Sequence, residues 1–216
     1  MPRYYPIYLD IKDKKCVIVG GGDVAYRKAI SLKEAGAQVV VISTEVSQEF
    51  LSEKGLIILR QRYEERCLEG ATLVIAATDE KEINQRVWEE AQRHGLLVNV
   101  VDQPGLCNFI VPSVVNRGEL QISISTGGAS PAFARRMRQE LEDNFGPEYG
   151  DFIGLLSILR PEVRSNIANG TKRQKVMERL SSPDMLDMLR TKGAQETEKE
   201  MRRIITEEVK GKGPKT

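Results

Sequence analysis

The chain has 216 residues, of which 40% are hydrophobic, 32 are Lys or Arg and 31 are Asp or Glu. This balance leaves a net charge of +1, so overall electrostatics give no reason to expect nucleic acid or a membrane surface as a partner. The beginning of the chain contains no apolar leader segment, and no apolar run approaches the about 18 residues of a membrane helix, so we expect a cytoplasmic globular protein with one substantial core and a smaller second unit.

An apolar run that breaks into three glycines is the most informative feature of the chain. Residues 16–19 predict a buried strand, and Gly20, Gly22 and Ala25 have the spacing of the dinucleotide-binding fingerprint. In that fingerprint Gly20 permits a tight turn, Gly22 lets the backbone approach a pyrophosphate, and Ala25 lets the helix pack against the strand. The alternative is a purely structural connection, because turns between strands and helices often need a positive φ.

The segments that follow predict a βαβ unit and then a larger sheet. A helix with an apolar face ends at Gly36, and a second strand follows it; a strand, helix and strand within about thirty residues favour dinucleotide binding over a structural turn. The remaining elements are predicted as strands at residues 56–59, 73–77 and 97–101 and as helical stretches at residues 63–68 and 82–94. The alternation predicts an α/β fold, a Rossmann-like domain over residues 1–113 with a parallel sheet covered on both faces.

The pattern changes after this domain. Residues 120–125 alternate between apolar and polar side chains, which predicts a half-exposed strand, and Ser130 is expected to cap a helix that begins at Pro131. We group this strand and helix as a small unit over residues 114–148.

A C-terminal helical domain is predicted over residues 149–209. Its helices are expected to be short and to be divided at Pro161, Gly170, Pro183 and Gly193. The tail, residues 210–216, has no apolar side chain and is expected to be disordered.

Chemistry is expected at the carboxyl ends of the parallel strands, where ligands bind in a doubly wound sheet. Three segments should converge there, namely the glycine turn, residues 77–79 and residues 99–108. Asp102 ends the fifth predicted strand and is the best candidate for a general base. Its alternative role is to cap the following turn, but its position favours catalysis. Because the three cysteines are far apart and His94 is the only histidine, no disulfide framework and no preformed metal site are predicted.

A series of short motifs runs in order through residues 4–143. They include Tyr5-Pro6-Ile7, the glycine turn through Ala25, Arg27-Lys28, Ala76-Ala77-Thr78-Asp79, Asn99-Val100-Val101-Asp102, Asn108-Phe109-Ile110-Val111-Pro112-Ser113 and Ser125-Thr126-Gly127-Gly128-Ala129-Ser130-Pro131. In combination these motifs closely resemble precorrin-2 dehydrogenase, the dehydrogenase/ferrochelatase part of sirohaem synthase. Beyond them the chain is similar to this family only in its helical character.

The resemblance implies a homodimer in which residues 114–148 form the dimerisation unit. It implies that NAD+ accepts a hydride from precorrin-2 to give sirohydrochlorin, and some members also insert Fe2+ to make sirohaem. The family's essential aspartate falls on Asp102, and its NAD-contacting positions fall on Asp23, Val24, Thr44 and Glu45. Together with the glycine turn, the predicted cofactor-binding residues are Gly20, Gly22, Asp23, Val24, Ser43, Thr44, Glu45, Ala77 and Thr78.

The implied substrate carries carboxylates around its ring, which need cationic or amide partners. The arginines of the helix after Pro131 supply positive charge, but the alternative is an ordinary solvated helix face, and the sequence favours neither. The predicted substrate-binding residues are Asn99, Asn108, Arg117, Ser130, Arg135 and Arg138.

Two choices have to be weighed from the sequence: NAD against NADP as the cofactor, and a dehydrogenase against two rival functions. The second strand is followed by Ser43, Thr44 and Glu45, and no arginine adjoins them in sequence, so NAD is predicted over NADP. One rival function is a regulatory module that binds NAD(H) as a redox signal and needs no catalytic base. Another is a metallochelatase that uses the Rossmann fold only as a scaffold and works without NAD+.

Overall fold

The computed structural model describes residues 4–211. Residue contacts divide the chain into two compact units, one that ends at Val111 and one that begins at Pro112. The first unit contains β1 (Lys15–Val19), α1 (Asp23–Glu34), β2 (Gln38–Ile42), α2 (Gln48–Ser52), β3 (Ile57–Leu59), β4 (Ala71–Ala76), α3 (Lys81–Arg93) and β5 (Leu97–Val100). The second contains β6 (Ser113–Arg117), β7 (Leu120–Ile124), α4 (Pro131–Asn144), α5 (Glu148–Asn166), α6 (Gly170–Leu180) and α7 (Pro183–Val209).

The strands of the first unit form a parallel sheet in the order β3-β2-β1-β4-β5. β1 pairs with β2 on one side and with β4 on the other, so the winding of the chain reverses between β1 and β4. The register aligns Val19 with both Ile42 and Ala76. The loops after these three residues therefore meet at one edge of the sheet, at the switch point where ligands bind in such folds.

Alternate residues of each strand fill two separate cores. Val17 and Val19 face the core covered by α3 and the 3-10 turn Glu65–Leu68, whereas Cys16 and Ile18 face the core covered by α1 and α2. Burial on both faces explains why these strands are nearly continuous apolar runs. The predicted α/β class with a parallel sheet is thus confirmed.

The second unit combines a hairpin with helices. β6 and β7 pair in antiparallel fashion, with Ser113 opposite Ile124 and Arg117 opposite Leu120. The core of the helices α5, α6 and α7 includes the buried residues Phe152, Leu155, Leu159, Val163, Val176, Leu180, Met185, Leu189, Met201, Ile204 and Ile205. The alternation seen in sequence predicts β7 correctly, whereas β6 was not predicted.

Pro161 does not divide the helical region, so this prediction is wrong. It lies inside α5, which continues to Asn166. Leu159 and Val163 are both buried in the helical core, and Pro161 itself is exposed. A proline removes one backbone hydrogen bond; here the packing of the buried neighbours on both sides keeps the helix intact.

Other boundaries differ from the predictions in smaller ways. The helical stretch predicted over residues 63–68 is only the 3-10 turn Glu65–Leu68, and the short helix α2 was not predicted. Gly193, by contrast, divides α7 as predicted, because its φ of +81° and ψ of 174° are non-helical and two helical segments meet there at a kink. α7 ends at Val209, and most of the tail predicted to be disordered, residues 212–216, lies outside the described residues.

Candidate dinucleotide and catalytic site

The glycine turn after β1 is packed tightly on two sides and open on the third. Gly20 has φ +130°, and a Cβ placed on it would lie 2.2 Å from the carbonyl oxygen of Ala77. A Cβ on Gly21 would lie 1.9 Å from the carbonyl oxygen of Glu45. A Cβ on Gly22 would meet no atom within 4 Å. Gly20 and Gly21 are therefore required by the protein's own packing, whereas the space beside Gly22 is free for a ligand.

The helix that follows the turn presents its amides to this space. Gly22 is the N-cap of α1, with an extended backbone, and no side chain caps the first turn. Ala25 is fully buried, which lets α1 pack close to the sheet. Uncapped amides and the helix dipole together favour an anion, such as a pyrophosphate. The residues present thus fit a dinucleotide.

A cavity of about 890 Å³ lies over this turn. It brings together most of the residues predicted to bind the cofactor: Gly20, Gly22, Asp23, Val24, Ser43, Thr44, Ala77 and Thr78. We call it the nucleotide pocket. The loops that carry these residues follow β1, β2 and β4, whose carboxyl ends meet at the switch point of the sheet.

Glu45 is the one predicted cofactor residue outside the lining of this pocket. Its carbonyl oxygen accepts a hydrogen bond of 2.5 Å from Ser43 Oγ and packs against Gly21. What Glu45 contributes to the turn is thus its backbone, and a contact of its carboxylate with the cofactor stays a prediction.

Several residues of the pocket were missed by sequence reasoning. Gln61, Arg62 and Tyr63 follow β3, and Ile83 and Arg86 come from α3. The signal that could have found the first group is the order of the sheet, because β3 lies beside β2 and its carboxyl end must open at the same edge.

Asp102 lies in a neighbouring cavity of about 450 Å³. Four residues line both this cavity and the nucleotide pocket: Val24, Ala77, Thr78 and Asp79. Asp102 is exposed and has φ +59°, a left-handed conformation that aspartate tolerates better than most residues. The turn at the end of β5 thus places a solvent-accessible carboxylate beside the nucleotide pocket.

The loop behind Asp102 is fixed by side chains that bond to the backbone. Asn108 accepts a hydrogen bond from the amide of Val98 (2.8 Å) and donates one to the carbonyl of Leu96 (2.9 Å). Asn99 donates to the carbonyl of Phe109 (3.0 Å). Neither asparagine lines either of these cavities. Their visible role is to hold the loop, and a direct contact with substrate stays a prediction.

Thr78 is held by a second set of bonds. Asn84 is only 3% exposed and donates to the carbonyl of Thr78 (2.8 Å), while its Oδ1 lies 3.0 Å from Thr78 Oγ1. The amide of Glu80 also donates to Thr78 Oγ1 (3.1 Å). These bonds fix the loop after β4, which separates the two cavities.

The remaining predicted substrate residues lie in the second unit, where most of their polar groups have partners. Arg117 donates to the carbonyls of Phe145 (2.6 Å), Glu142 (3.0 Å) and Asn116 (2.9 Å), so it caps the C-terminal end of α4. Ser130 caps the other end as predicted, because its Oγ accepts from the amide of Phe133 (3.2 Å).

The arginines of α4 differ in their partners. Arg138 is paired with Glu142, and Arg136 with Glu140 at 2.9 Å, both one turn along the helix. Arg135 is exposed and makes no ion pair with any described residue. Of these three, Arg135 is therefore the one whose charge is available to a ligand.

Within residues 4–211 no group of three or more His, Cys, Asp or Glu side chains is arranged to hold a metal ion. No helix in this range is long and apolar enough to cross a membrane. Burial raises the pKa of the Cys16 thiol to about 11.

Comparisons with known proteins agree with this geometry. Residues 7–113 match a family model described as putative NAD(P)-binding, and residues 117–144 match one described as sirohaem biosynthesis protein central. A solved structure of SirC, precorrin-2 dehydrogenase, has a TM-score of 0.78 and 24% identity, and the match covers 94% of this chain and 100% of that one. At this identity the likeness shows a shared fold.

Full-length relatives are similar over most of the chain. Siroheme synthase of Methylococcus capsulatus is 44% identical over 82% of this chain and 38% of its own length. Siroheme synthase of Nitrosospira multiformis is 38% identical over 87% of this chain and 41% of its own length. The chain thus spans about two fifths of these relatives. It belongs to the family of the sirohaem synthase N-terminal module, the precorrin-2 dehydrogenase/ferrochelatase module.

Proposed function

We propose that this chain oxidises precorrin-2 to sirohydrochlorin with NAD+ as the hydride acceptor. The observation that carries the proposal is the position of Asp102 in a cavity that shares Val24, Ala77, Thr78 and Asp79 with the nucleotide pocket. A bound nicotinamide supplies hydride acceptance. The reaction balances as precorrin-2 plus NAD+ giving sirohydrochlorin, NADH and one proton.

Asp102 takes that proton on its carboxylate. A general base must lie within hydrogen-bond reach of the proton that it removes, and the turn after β5 presents this carboxylate to solvent at the edge of the sheet. The bonds made by Asn99 and Asn108 fix the loop and hence the direction of the base. Thr78 and Val24 form the wall along which the substrate meets the nucleotide.

The proposal includes a homodimer built through residues 114–148. α4 supports it, since Ala134 is its one buried residue and Phe133 is 48% exposed. Sedimentation velocity of the purified chain should give a dimer. The proposal also includes a cytoplasmic location, where the three free cysteines stay reduced.

Fe2+ insertion belongs to the same proposal as a second step. Asp102 and Asp79 are the two carboxylates that line the cavity of Asp102, and they are available to take protons from the pyrroles. Adding Fe2+ after sirohydrochlorin has formed tests this step separately.

The decisive experiment is anaerobic. Purified protein is mixed with freshly generated precorrin-2 and NAD+, and NADH and the sirohydrochlorin spectrum are followed together. The proposal is supported if NADH and sirohydrochlorin form at equal rates and only when NAD+ is present. Tight NAD+ binding without turnover would replace it with the redox-sensing module, and metal insertion without NAD+ would favour the chelatase.

A further inference from the structure

The carboxyl end of β2 carries hydroxyls where NAD-specific Rossmann sites carry a carboxylate. In such sites an acidic residue about 20 positions after the glycine motif bonds the ribose hydroxyls and repels a 2′-phosphate. Here that region is occupied by the buried Ile42 and then by Ser43 and Thr44, which line the nucleotide pocket. Glu45 does not line it. The lining contributed by β2 is therefore uncharged.

Arg62 lies at the same edge of the sheet. β3 pairs with β2 so that Leu59 is opposite Ile42, and the amide of Ser43 donates to the carbonyl of Leu59 (3.2 Å). The chain then turns, with the amide of Gln61 bonded to the same carbonyl (3.0 Å), and delivers Arg62 to the pocket wall. Arg62 thus lines the same pocket as Ser43 and Thr44, although it is distant from them in sequence.

The guanidinium of Arg62 is available to a ligand. It is exposed and makes no ion pair or hydrogen bond with any described residue. The other arginine of the pocket, Arg86, is already paired with Glu90 (2.9 Å) and stacked over the ring of Tyr63 (5.5 Å). The acidic residues of the pocket come from the start of α1 and from the loop after β4, not from the loops after β2 and β3; they are Asp23, Asp79 and Glu80.

A free guanidinium in the same pocket as two hydroxyls suits a phosphate on a ribose. Arginine binds phosphate through two parallel charge-assisted hydrogen bonds. The Thr44 hydroxyl can donate to a remaining phosphate oxygen, whereas Ser43 Oγ, which already donates to the Glu45 carbonyl, can accept from a ribose hydroxyl. We propose that Arg62 recognises the 2′-phosphate of a dinucleotide, so that this pocket binds NADP+ as well as NAD+. The inference rests on the proposed function only in requiring that a dinucleotide binds here.

Equilibrium binding tests the inference without turnover. Calorimetric titrations with NAD+ and NADP+ compare the wild type, Arg62→Ala, Arg62→Lys and the matched control Arg60→Ala. Arg60 is exposed and comes from the same loop but does not line the pocket. The fragments 2′,5′-ADP and 5′-AMP isolate the contribution of the 2′-phosphate.

The expected result is an NADP+ dissociation constant within about tenfold of that for NAD+ in the wild type. Arg62→Ala should weaken the binding of NADP+ and of 2′,5′-ADP by about tenfold or more, because a hydrogen bond to a charged group is lost. It should weaken the binding of NAD+ by less than about threefold. Arg62→Lys should keep part of the affinity for NADP+. Arg60→Ala should leave the affinities for NAD+ and NADP+ unchanged.

Two results would overturn the inference. One is NADP+ binding that is more than about tenfold weaker than NAD+ binding in the wild type, and the other is an Arg62→Ala variant whose affinities for both ligands fall equally. In either case NAD+ still binds and the proposed function stands. If the folded protein binds neither dinucleotide, the inference and the proposed function fail together.

Discussion

The polar residues at the edge of the parallel sheet and those around α4 were predicted on similar grounds, but the structure treats them differently. In the first unit, Asp102 and Thr44 are exposed and line cavities. In the second, Arg117 and Arg138 are bonded to neighbouring carbonyl or carboxylate groups. Asp102 and Thr44 follow the ends of parallel strands, where the loops open a crevice. Arg138 instead lies one helical turn from Glu142, and Arg117 reaches the carbonyls at the end of α4.

This difference separates residues that can act on a ligand from residues that hold the fold. A side chain whose polar groups are already satisfied by the protein must give up those bonds before it can bind a ligand. We therefore expect substitutions of free polar side chains to change binding and turnover, and substitutions of bonded or closely packed residues to change stability first. Four predictions test the two halves of this comparison.

The largest effect is expected for Asp102→Asn. Loss of the general base should lower dehydrogenation by about 10²–10⁴-fold, equivalent to about 3–5 kcal/mol of activation free energy. Stability should hardly change, because asparagine tolerates the left-handed backbone of residue 102 equally well. Single-turnover NADH formation measures the first quantity and urea unfolding the second.

Asp13→Asn is the matched control for this variant. Asp13 has the same φ of +59° and is exposed, but it lines neither the nucleotide pocket nor the cavity that contains Asp102. Its turnover should stay within about twofold of the wild type. Near-normal turnover of a folded Asp102→Asn variant would remove Asp102 from the mechanism.

Gly20→Ala should cause the largest loss of stability, at least about 3 kcal/mol. The added methyl would combine a strained φ of +130° with a 2.2 Å approach to the backbone carbonyl of Ala77. Gly22→Ala is the control, since its Cβ meets no atom within 4 Å. Its free energy of unfolding should change by less than about 1 kcal/mol, while the dinucleotide affinity should fall about tenfold. Equal destabilisation by both would refute the packing argument.

Arg117→Ala should lower the free energy of unfolding by about 2 kcal/mol. The substitution leaves the carbonyls of Glu142 and Phe145 at the end of α4 without their charged donor. Arg135→Ala, on an exposed side chain without an ion pair, should change stability by less than about 0.5 kcal/mol. Denaturant unfolding measures the free energy of unfolding of both variants. An Arg117→Ala protein that is as stable as the wild type but binds substrate poorly would mean that Arg117 contacts the substrate instead.

The smallest effect is expected for Tyr63→Phe, about 1 kcal/mol of stability. It removes the 2.6 Å hydrogen bond to Glu90, which is 5% exposed. Burial, followed by the bond to Glu90, raises the pKa of Tyr63, so its contribution is present below the ordinary tyrosine pKa of about 10 and lost as pH rises beyond it. In thermal unfolding, the Tyr63→Phe variant should therefore lose less stability than the wild type as the pH rises above about 10.

Tyr26→Phe serves as the control, because Tyr26 makes a longer bond to Glu53 (3.2 Å) in a less buried setting. Its unfolding free energy should fall by less than that of Tyr63→Phe. The reverse order would mean that burial does not govern the strength of these two bonds.

The local patterns of the chain predict much of this architecture. Apolar runs and the spacing of Gly20, Gly22 and Ala25 predict the strands, the turn and α1, because each is specified by neighbouring residues. The position of Asp102 at the end of β5 could be predicted for the same reason. The cap at Ser130 also depends on residues three positions apart and was predicted correctly.

Tertiary structure decides what depends on residues that are distant in sequence. The pairing of β3 with β2 brings Arg62 to the pocket, and no local pattern contains that information. The tight packing of Gly21 against Glu45 sets the orientation of the turn, and the bonds of Arg117 to the end of α4 are set by the fold of the second unit. The sequence by itself thus determined the elements and the nucleotide turn, through periodicity and local conformational preference. Only the assembled sheet and helices decided that Arg62 lines the pocket with its charge free and that Arg117 is bonded, because the surroundings of both residues come from distant parts of the chain.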